Sequence, residues 1–502
     1  MDVNNIKQMD QKVKWALVIV SLLTLAVLII AAVSENVLAS WRMIRLGYVG
    51  ILNEQATDER GRAIADQFEI RIVQNYLPTL EAVDRCVTCH PGIDDPRMID
   101  EKQPYKAHSG EYLTQHPPEN YGCTICHRGQ GRALVFEEAK GEESHWDYPL
   151  LPINLTQSAC GLCHSSDEVK DRGGELYALG KELFTDKGCY SCHNLRGVGG
   201  NMGPALDPIG LKIKQMLPMV NVEGPHTLPQ WLKEHFEDPQ KIVVGSQMKP
   251  PQLSGEEIEA LTTYMLSLQE REISRAYLTA GKLLELYKQE HPEPASGEEL
   301  YVRYCSSCHD TGEYARYDKF YQKFFPAVRG SVYVQIASRD YLKQNIAQGR
   351  PGTLMPAWEK NSGGLTESEI DRIIDYMLDV QIPEHEKLDA RMVQGTQDPA
   401  FKVIGDQARG KKLFTKHCSA CHLSTLAPDL FNATFQQSAT DGFVFTTILK
   451  GRENTPMPGF FAPGKGGMGP DDISDLTAYI RNAAQAPSQS GLTFALPTNN
   501  KD

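Results

Sequence analysis

The sequence predicts a mainly α-helical protein with an N-terminal transmembrane helix, a helical stalk, a loop-rich cysteine module and three small all-α repeats. Three observations carry that expectation. Residues Trp15 to Val33 are apolar except for Ser21 and Thr24, and a helix of this length rises about 28 Å, close to the thickness of a bilayer core. All 12 cysteines fall in six copies of Cys-x-x-Cys-His. The first three copies start 37 residues apart, whereas the last three start 116 and 113 residues apart and share one pattern of flanking helices.

The short motif decides the chemistry. Two thiols three residues apart can reach the two vinyl groups of one porphyrin while the following imidazole rises under the ring to its iron, which is the attachment signature of c-type haem. The thiol pairs are Cys86 and Cys89, Cys123 and Cys126, Cys160 and Cys163, Cys189 and Cys192, Cys305 and Cys308, and Cys418 and Cys421. The histidines that follow them, His90, His127, His164, His193, His309 and His422, are the expected proximal iron ligands. A zinc site would draw on two separated pairs and gives no reason for a histidine after every second cysteine. Disulfides leave the same six histidines unexplained. Six covalently attached haem c groups are therefore expected. The formal net charge of −13, before any propionate is added, makes nucleic acid an unexpected partner.

Residues 1–35 read as a membrane anchor. Lys7, Lys12 and Lys14 precede the apolar run, so the positive-inside rule keeps the N-terminus cytoplasmic and puts the haem domains on the periplasmic side of a bacterial inner membrane. A cleaved signal peptide, cut near Val37-Leu38-Ala39, is the competing reading, but signal h-regions run only about 7–15 residues. Residues 36–80 read as a stalk, helical from Trp41 to Leu77 with Ile64, Phe68 and Ile72 on one stripe, Val73 and Tyr76 beside them, and Pro78 as the stop. Residues 81–170 read as a compact trihaem module in which Pro, Gly and acidic residues favour loops and short helices over sheet. Its three spare histidines, His108, His116 and His145, match its three motifs and are the expected distal ligands.

Residues 171–272, 295–383 and 405–486 form the long repeat, separated by polar linkers at 273–294 and 384–404. The tail at 487–502 is rich in Ser, Asn and Gln and is expected to be disordered. Each repeat starts on a helix ending at the motif, with Gly180, Leu183 and Phe184, then Gly297, Leu300 and Tyr301, then Gly410, Leu413 and Phe414. A methionine closely followed by proline comes next, at Met248, Met355 and Met457, and a last amphipathic helix carries Leu261 and Tyr264, Ile373 and Tyr376, or Leu476 and Tyr479. Ser254 with Glu257 and Thr366 with Glu369 are capping boxes for two of these last helices.

On those residues the three repeats resemble class I cytochrome c domains. The resemblance implies terminal helices crossing over the haem and a methionine sulfur as distal ligand, giving His193 with Met248, His309 with Met355 and His422 with Met457. Arg350 and Arg452, each after a glycine and five residues before the methionine, strengthen the match in the last two repeats. The first repeat lacks that pattern, and Met202, His226 and His235 are possible competitors there. The stretch from Val83 to Pro96, with Gly122 to His127 and Gly129-Gln130-Gly131, resembles membrane-anchored multihaem cytochromes that accompany cytochrome b or bc-type quinol-oxidising complexes.

Methionine ligation raises haem potential relative to two imidazoles. A downhill path is thus expected from a quinol-oxidising membrane subunit, through the trihaem module, to a periplasmic or membrane-bound acceptor. The chain is thus expected to be an electron-transfer protein, or an electron-transfer subunit of a larger oxidoreductase complex, and not itself an enzyme. The alternative is a multihaem reductase or peroxidase with one open iron, which needs acid or base groups at a five-coordinate haem.

Overall fold

The computed structural model describes residues 3–142, 146–291, 294–424, 426–462 and 467–482. It is mainly helical, as expected. Helix α1 (Val3–Asn36) contains the apolar stretch; within its Gln8–Asn36 segment the most apolar 18-residue window has a mean hydropathy of 3.1, and none of that window is buried.

The stalk differs from its expectation. Helix α2 (Ser40–Gln55) and helix α3 (Glu59–Gln67) are separated by a turn in which Asp58 caps α3 by accepting the Gly61 N–H. Phe68 leaves the helix because its ring is held by α2, with Tyr48 at 5.0 Å and the Arg45 guanidinium at 4.4 Å. Asn75–Leu77 then forms β1, paired antiparallel with β2 (Ala82–Asp84), so the expected helix from Trp41 to Leu77 is interrupted and ends early. A small core of Tyr48, Leu52, Ala65, Met98 and Ala107 fixes α2 and α3 to the first haem motif. Arg45 is buried there and donates to the Glu69 carbonyl at 2.8 Å; its pKa is lowered, chiefly by burial and then by Arg71.

In each long repeat an N-terminal helix crosses a C-terminal one. The pairs are α4 (Glu175–Asp186) with α6 (Gly255–Ser267), α8 (Gly297–Tyr304) with α11 (Glu367–Leu378), and α13 (Gln407–His417) with α16 (Pro470–Asn482). A Cβ on Gly180, Gly297 or Gly410 would run into the backbone carbonyl of Ala260, Arg372 or Asp475, with Tyr264, Tyr376 or Tyr479 lying alongside. The glycines set how closely the helices approach. A ten-residue helix lies between each pair: α5 (Leu228–Glu237), α10 (Arg339–Gln348) and α15 (Asp441–Lys450). Two shorter helices, α9 (Ser331–Ile336) and α14 (Ala433–Ser438), precede α10 and α15.

The linkers are structured. Helix α7 (Ala280–Glu290) lies in the first and α12 (Ala390–Gln397) in the second, the latter packed on α15. Nor are the cores separate: Leu151, Leu155 and Val169 of the trihaem module share one apolar cluster with α4, α5 and α6, and the second and third repeats share another. Short strands β3 (Arg316–Asp318) and β4 (Lys323–Phe325) pair within the second repeat. The tail from residue 487 lies outside the described residues.

Glu168 fastens α7 to the module by accepting from Thr279 Oγ1 at 2.6 Å, the Gly281 N–H at 2.9 Å and the Ser165 N–H at 3.0 Å. Burial alone would raise its pKa, but these bonds outweigh it and bring the carboxyl to about 2. The stabilisation is therefore complete above the unfolded pKa near 4.3 and is lost as pH falls towards about 2. Glu168→Gln should loosen α7 by about 1 kcal/mol at neutral pH, read as faster proteolysis within Ala280–Glu290, and the difference from the parent should shrink as the solution is acidified. Gly297→Val should cost about 1–3 kcal/mol by forcing the crossing apart, read as faster hydrogen exchange in α8 and α11, whereas Gly255→Ala, with open space around it, should leave hydrogen exchange in α4 and α6 unchanged.

Candidate haem sites

The six motifs coil alike. In every one the histidine N–H donates to the carbonyl of the first cysteine, at 2.9 Å for His90, 3.0 Å for His127, 2.8 Å for His164, 3.0 Å for His193, 2.9 Å for His309 and 2.9 Å for His422. This single turn holds both thiols and the imidazole on one short segment, the arrangement that double thioether attachment needs. None of the twelve cysteines is paired in a disulfide, and burial is the main cause that pushes up the Cys126, Cys189 and Cys305 thiols, each to about 12.

The trihaem module sets two of the expected distal histidines each beside a motif histidine, a pairing the sequence left open. His108 and His127 lie with ring centroids 6.2 Å apart, and His116 and His164 lie 6.0 Å apart. A metal–nitrogen bond of about 2 Å plus the radius of each ring puts two opposed imidazoles on one metal about 6 Å apart, so both pairs fit a shared iron. His108 Nδ1 pairs with the Ser109 carbonyl at 2.8 Å and His116 Nδ1 with the Tyr112 carbonyl at 3.2 Å. That fixes the tautomer and leaves each Nε2 for metal. His90 Nδ1 is buried without a partner, and His145 lies outside the described residues.

Polar residues outside the six motifs hold these turns. Buried Asp84 accepts from the Cys123 N–H at 2.7 Å, the Thr124 N–H at 3.2 Å and the Thr124 hydroxyl at 3.2 Å, and so ties β2 to the second motif. Arg128, directly after His127, donates to the Gly210 carbonyl at 3.0 Å and the Leu266 carbonyl at 3.2 Å. Burial lowers its pKa to about 10, and the charge binds the module to the first repeat. No periodicity marked either residue, and although Asp84 lies in the stretch from Val83 to Pro96, nothing there pointed to its contact with the second motif.

In the long repeats each proximal imidazole is oriented by a proline carbonyl. His193 Nδ1 pairs with Pro204 at 2.9 Å, His309 with Pro326 at 3.2 Å and His422 with Pro428 at 2.8 Å. The intervals of 11, 17 and 6 residues follow no common spacing, which hid them in the sequence. The methionine loops of the second and third repeats match closely. Arg350 N–H donates to the Met355 carbonyl and Arg452 N–H to the Met457 carbonyl, both at 3.0 Å. Gly349 and Gly451 enter these loops at φ of 67° and 78°, where a Cβ would strike the backbone after the methionine. Around Met248 the loop differs, being tied through the Gln240 amide to the Met248 carbonyl. Met202 is exposed, as is His226.

A family model described as cytochrome c matches residues 177–269 and 407–484, and one described as cytochrome c oxidase, cbb3-type, subunit III matches residues 292–377. The chain is a membrane-anchored multihaem c-type cytochrome. Its cytochrome c domains imply covalently held haem c. The cbb3-type cytochrome c oxidase subunit CcoP of Azospirillum sp. (strain B510) is 24% identical over 210 residues, covering 38% of this chain and 61% of that protein. Cytochrome c oxidase subunit 2 of Alkalihalophilus pseudofirmus is 27% identical over 124 residues, 24% of this chain and 34% of that protein. This cytochrome thus spans less than two thirds of either relative. No solved structure matches it.

Neighbouring motif regions of the cytochrome approach one another in chain order. Cys86 lies near Cys123, and Cys126 lies near Cys160 and Cys163. Tyr177, Tyr264, Phe184 and Tyr190 link the third motif region to the fourth by ring separations of 6.2, 5.5 and 4.8 Å. Ser307 Oγ donates to Ser191 Oγ at 2.6 Å, joining the fourth and fifth motifs directly. The second and third repeats then pair reciprocally: Arg350 lies over Phe435 at 5.8 Å, Arg452 over Tyr333 at 4.3 Å, and Tyr341 meets Phe443 at 4.5 Å. His108→Ala should free one face of the iron held by His127 and leave that at His164 unchanged, and His116→Ala should do the reverse. Electron paramagnetic resonance of the ferric variants reads this as loss of two different low-spin signals.

Proposed function

We infer that this cytochrome carries six covalently attached haem c groups and conducts electrons from a cytochrome b/bc-type or other quinol-oxidising membrane subunit to a periplasmic or membrane-bound acceptor. Each haem supplies a one-electron iron couple. The observation that carries the reading is the contrast between His108–His127 and His116–His164 at about 6 Å in the module and the matched loops of Met355 and Met457 in the last two repeats. Two imidazoles favour a lower potential and a methionine a higher one, so the ligand order runs downhill away from α1.

Other residues support this direction. The module sits next to the anchor, with α2 packed on its first motif through Tyr48 and Arg45. The anchor has no ionisable residue between Trp15 and Val33, so a separate membrane subunit would oxidise the quinol. In the first repeat the expected pair is His193 with Met248. The domain limits at 81–170, 171–272, 295–383 and 405–486 follow from the same assignment. The similarity to an oxidase subunit named CcoP favours a place in a membrane oxidase complex.

Intact-mass measurement should find six haems, one per motif in the proteolysed peptides. Potentiometry with spectroscopic assignment should place the histidine-paired haems below those of Met355 and Met457; the opposite order would overturn the direction of flow. Rapid carbon monoxide binding at one iron together with peroxide or nitrite turnover would instead favour the reductase or peroxidase.

A further inference from the structure

The three ten-residue helices α5, α10 and α15 are equivalent, and comparing them isolates one residue. Each follows a capping hydroxyl, Thr227, Ser338 or Thr440, that accepts the N–H of the third helical residue, Gln230, Tyr341 or Phe443. Counting from those caps, the eighth helical position is His235 in α5, Ile346 in α10 and Ile448 in α15. The two isoleucines are only 5% and 4% exposed. Their carbonyls accept the N–H of Trp358 and Phe460, each three residues after the methionine, at 3.0 Å. The backbone at the eighth position is therefore tied to the distal methionine segment in the second and third repeats, where its side chain is buried, and in the first repeat an imidazole stands where the others have a hydrocarbon.

That imidazole is not used elsewhere. Its ring stacks on Trp231 at 4.5 Å and 10°, and its Nδ1 is buried with no hydrogen-bond partner. The proximal His193 is near enough to act on this buried ring. Meanwhile the tether that holds the other two methionines is missing. Three residues after Met248 stands Pro251, which has no N–H to give the His235 carbonyl. Gly245 at φ 82° has nothing packed on it, unlike Gly349 and Gly451.

We propose that His235 is the distal ligand of the iron held by His193, displacing Met248 from that role. The first repeat is then a bis-histidine site on a cytochrome c scaffold, and the low-potential group extends from three haems to four. The step from two imidazoles to methionine falls at the contact of Ser191 with Ser307. This rests on haem attachment at Cys189 and Cys192, and peptide mass of that motif tests the attachment by itself.

The test uses the full-length holoprotein in detergent. The near-infrared charge-transfer band of methionine-ligated ferric haem should correspond to two haems of the six. Met248→Leu should leave it unchanged. His235→Leu should leave one haem five-coordinate and reactive to carbon monoxide when reduced, or recruit Met248 and add a third equivalent to the band; added imidazole should restore the parent spectrum in the first case. A band worth three haems in the parent, lost by one third in Met248→Leu, would overturn the proposal even if the His235 variant failed to fold.

Discussion

The hydrogen bond from each motif histidine N–H to the carbonyl of the first cysteine is the constraint on which the rest of the protein depends. It recurs six times within 2.8–3.0 Å, and it turns five residues into a clamp that needs nothing beyond itself to present two sulfurs and an imidazole. What differs among the six sites is the wall opposite the clamp. In the module that wall is built from the short segments bearing His108 and His116, and in the long repeats from a helix and a loop.

Those walls are held in two different ways. The long repeats have enough chain to bury a core, and a glycine at each helix crossing sets the spacing. The module has too little chain for that: apolar burial scales poorly in small domains. It relies instead on polar ties that reach between segments. Asp84 gathers three donors at the second motif, Arg128 spans two carbonyls of the first repeat, and Glu168 clasps the turn before α7. A buried charge of this kind is stabilising only because its partners are present, so each tie also fixes the orientation of one haem site relative to the next.

The same ties make the chain continuous. Apolar clusters cross from module to first repeat and from second repeat to third, and the serine contact between the fourth and fifth motifs bridges the two halves. The reciprocal placement of Arg350 and Arg452 over each other's aromatic neighbours gives the last two repeats an approximate twofold relation. An electron carrier gains from such rigidity because its cofactors must keep short, fixed separations.

The covalent chemistry was legible in the sequence because the motif acts within five residues, and the crossing helices were legible because their apolar faces recur at local intervals around Gly180, Gly297 and Gly410. Local patterns also placed the capping boxes at Ser254 and Thr366. The sequence could count His108 and His116 as spare ligands but could not pair them, since pairing depends on where distant turns come to rest. Only the tertiary structure set His108 opposite His127 and His116 opposite His164. It also drew Phe68 out of the expected stalk helix onto Tyr48 and Arg45, and it gave the polar linkers docked helices. In each case the deciding energy is a contact between residues far apart in the chain, which no local periodicity encodes.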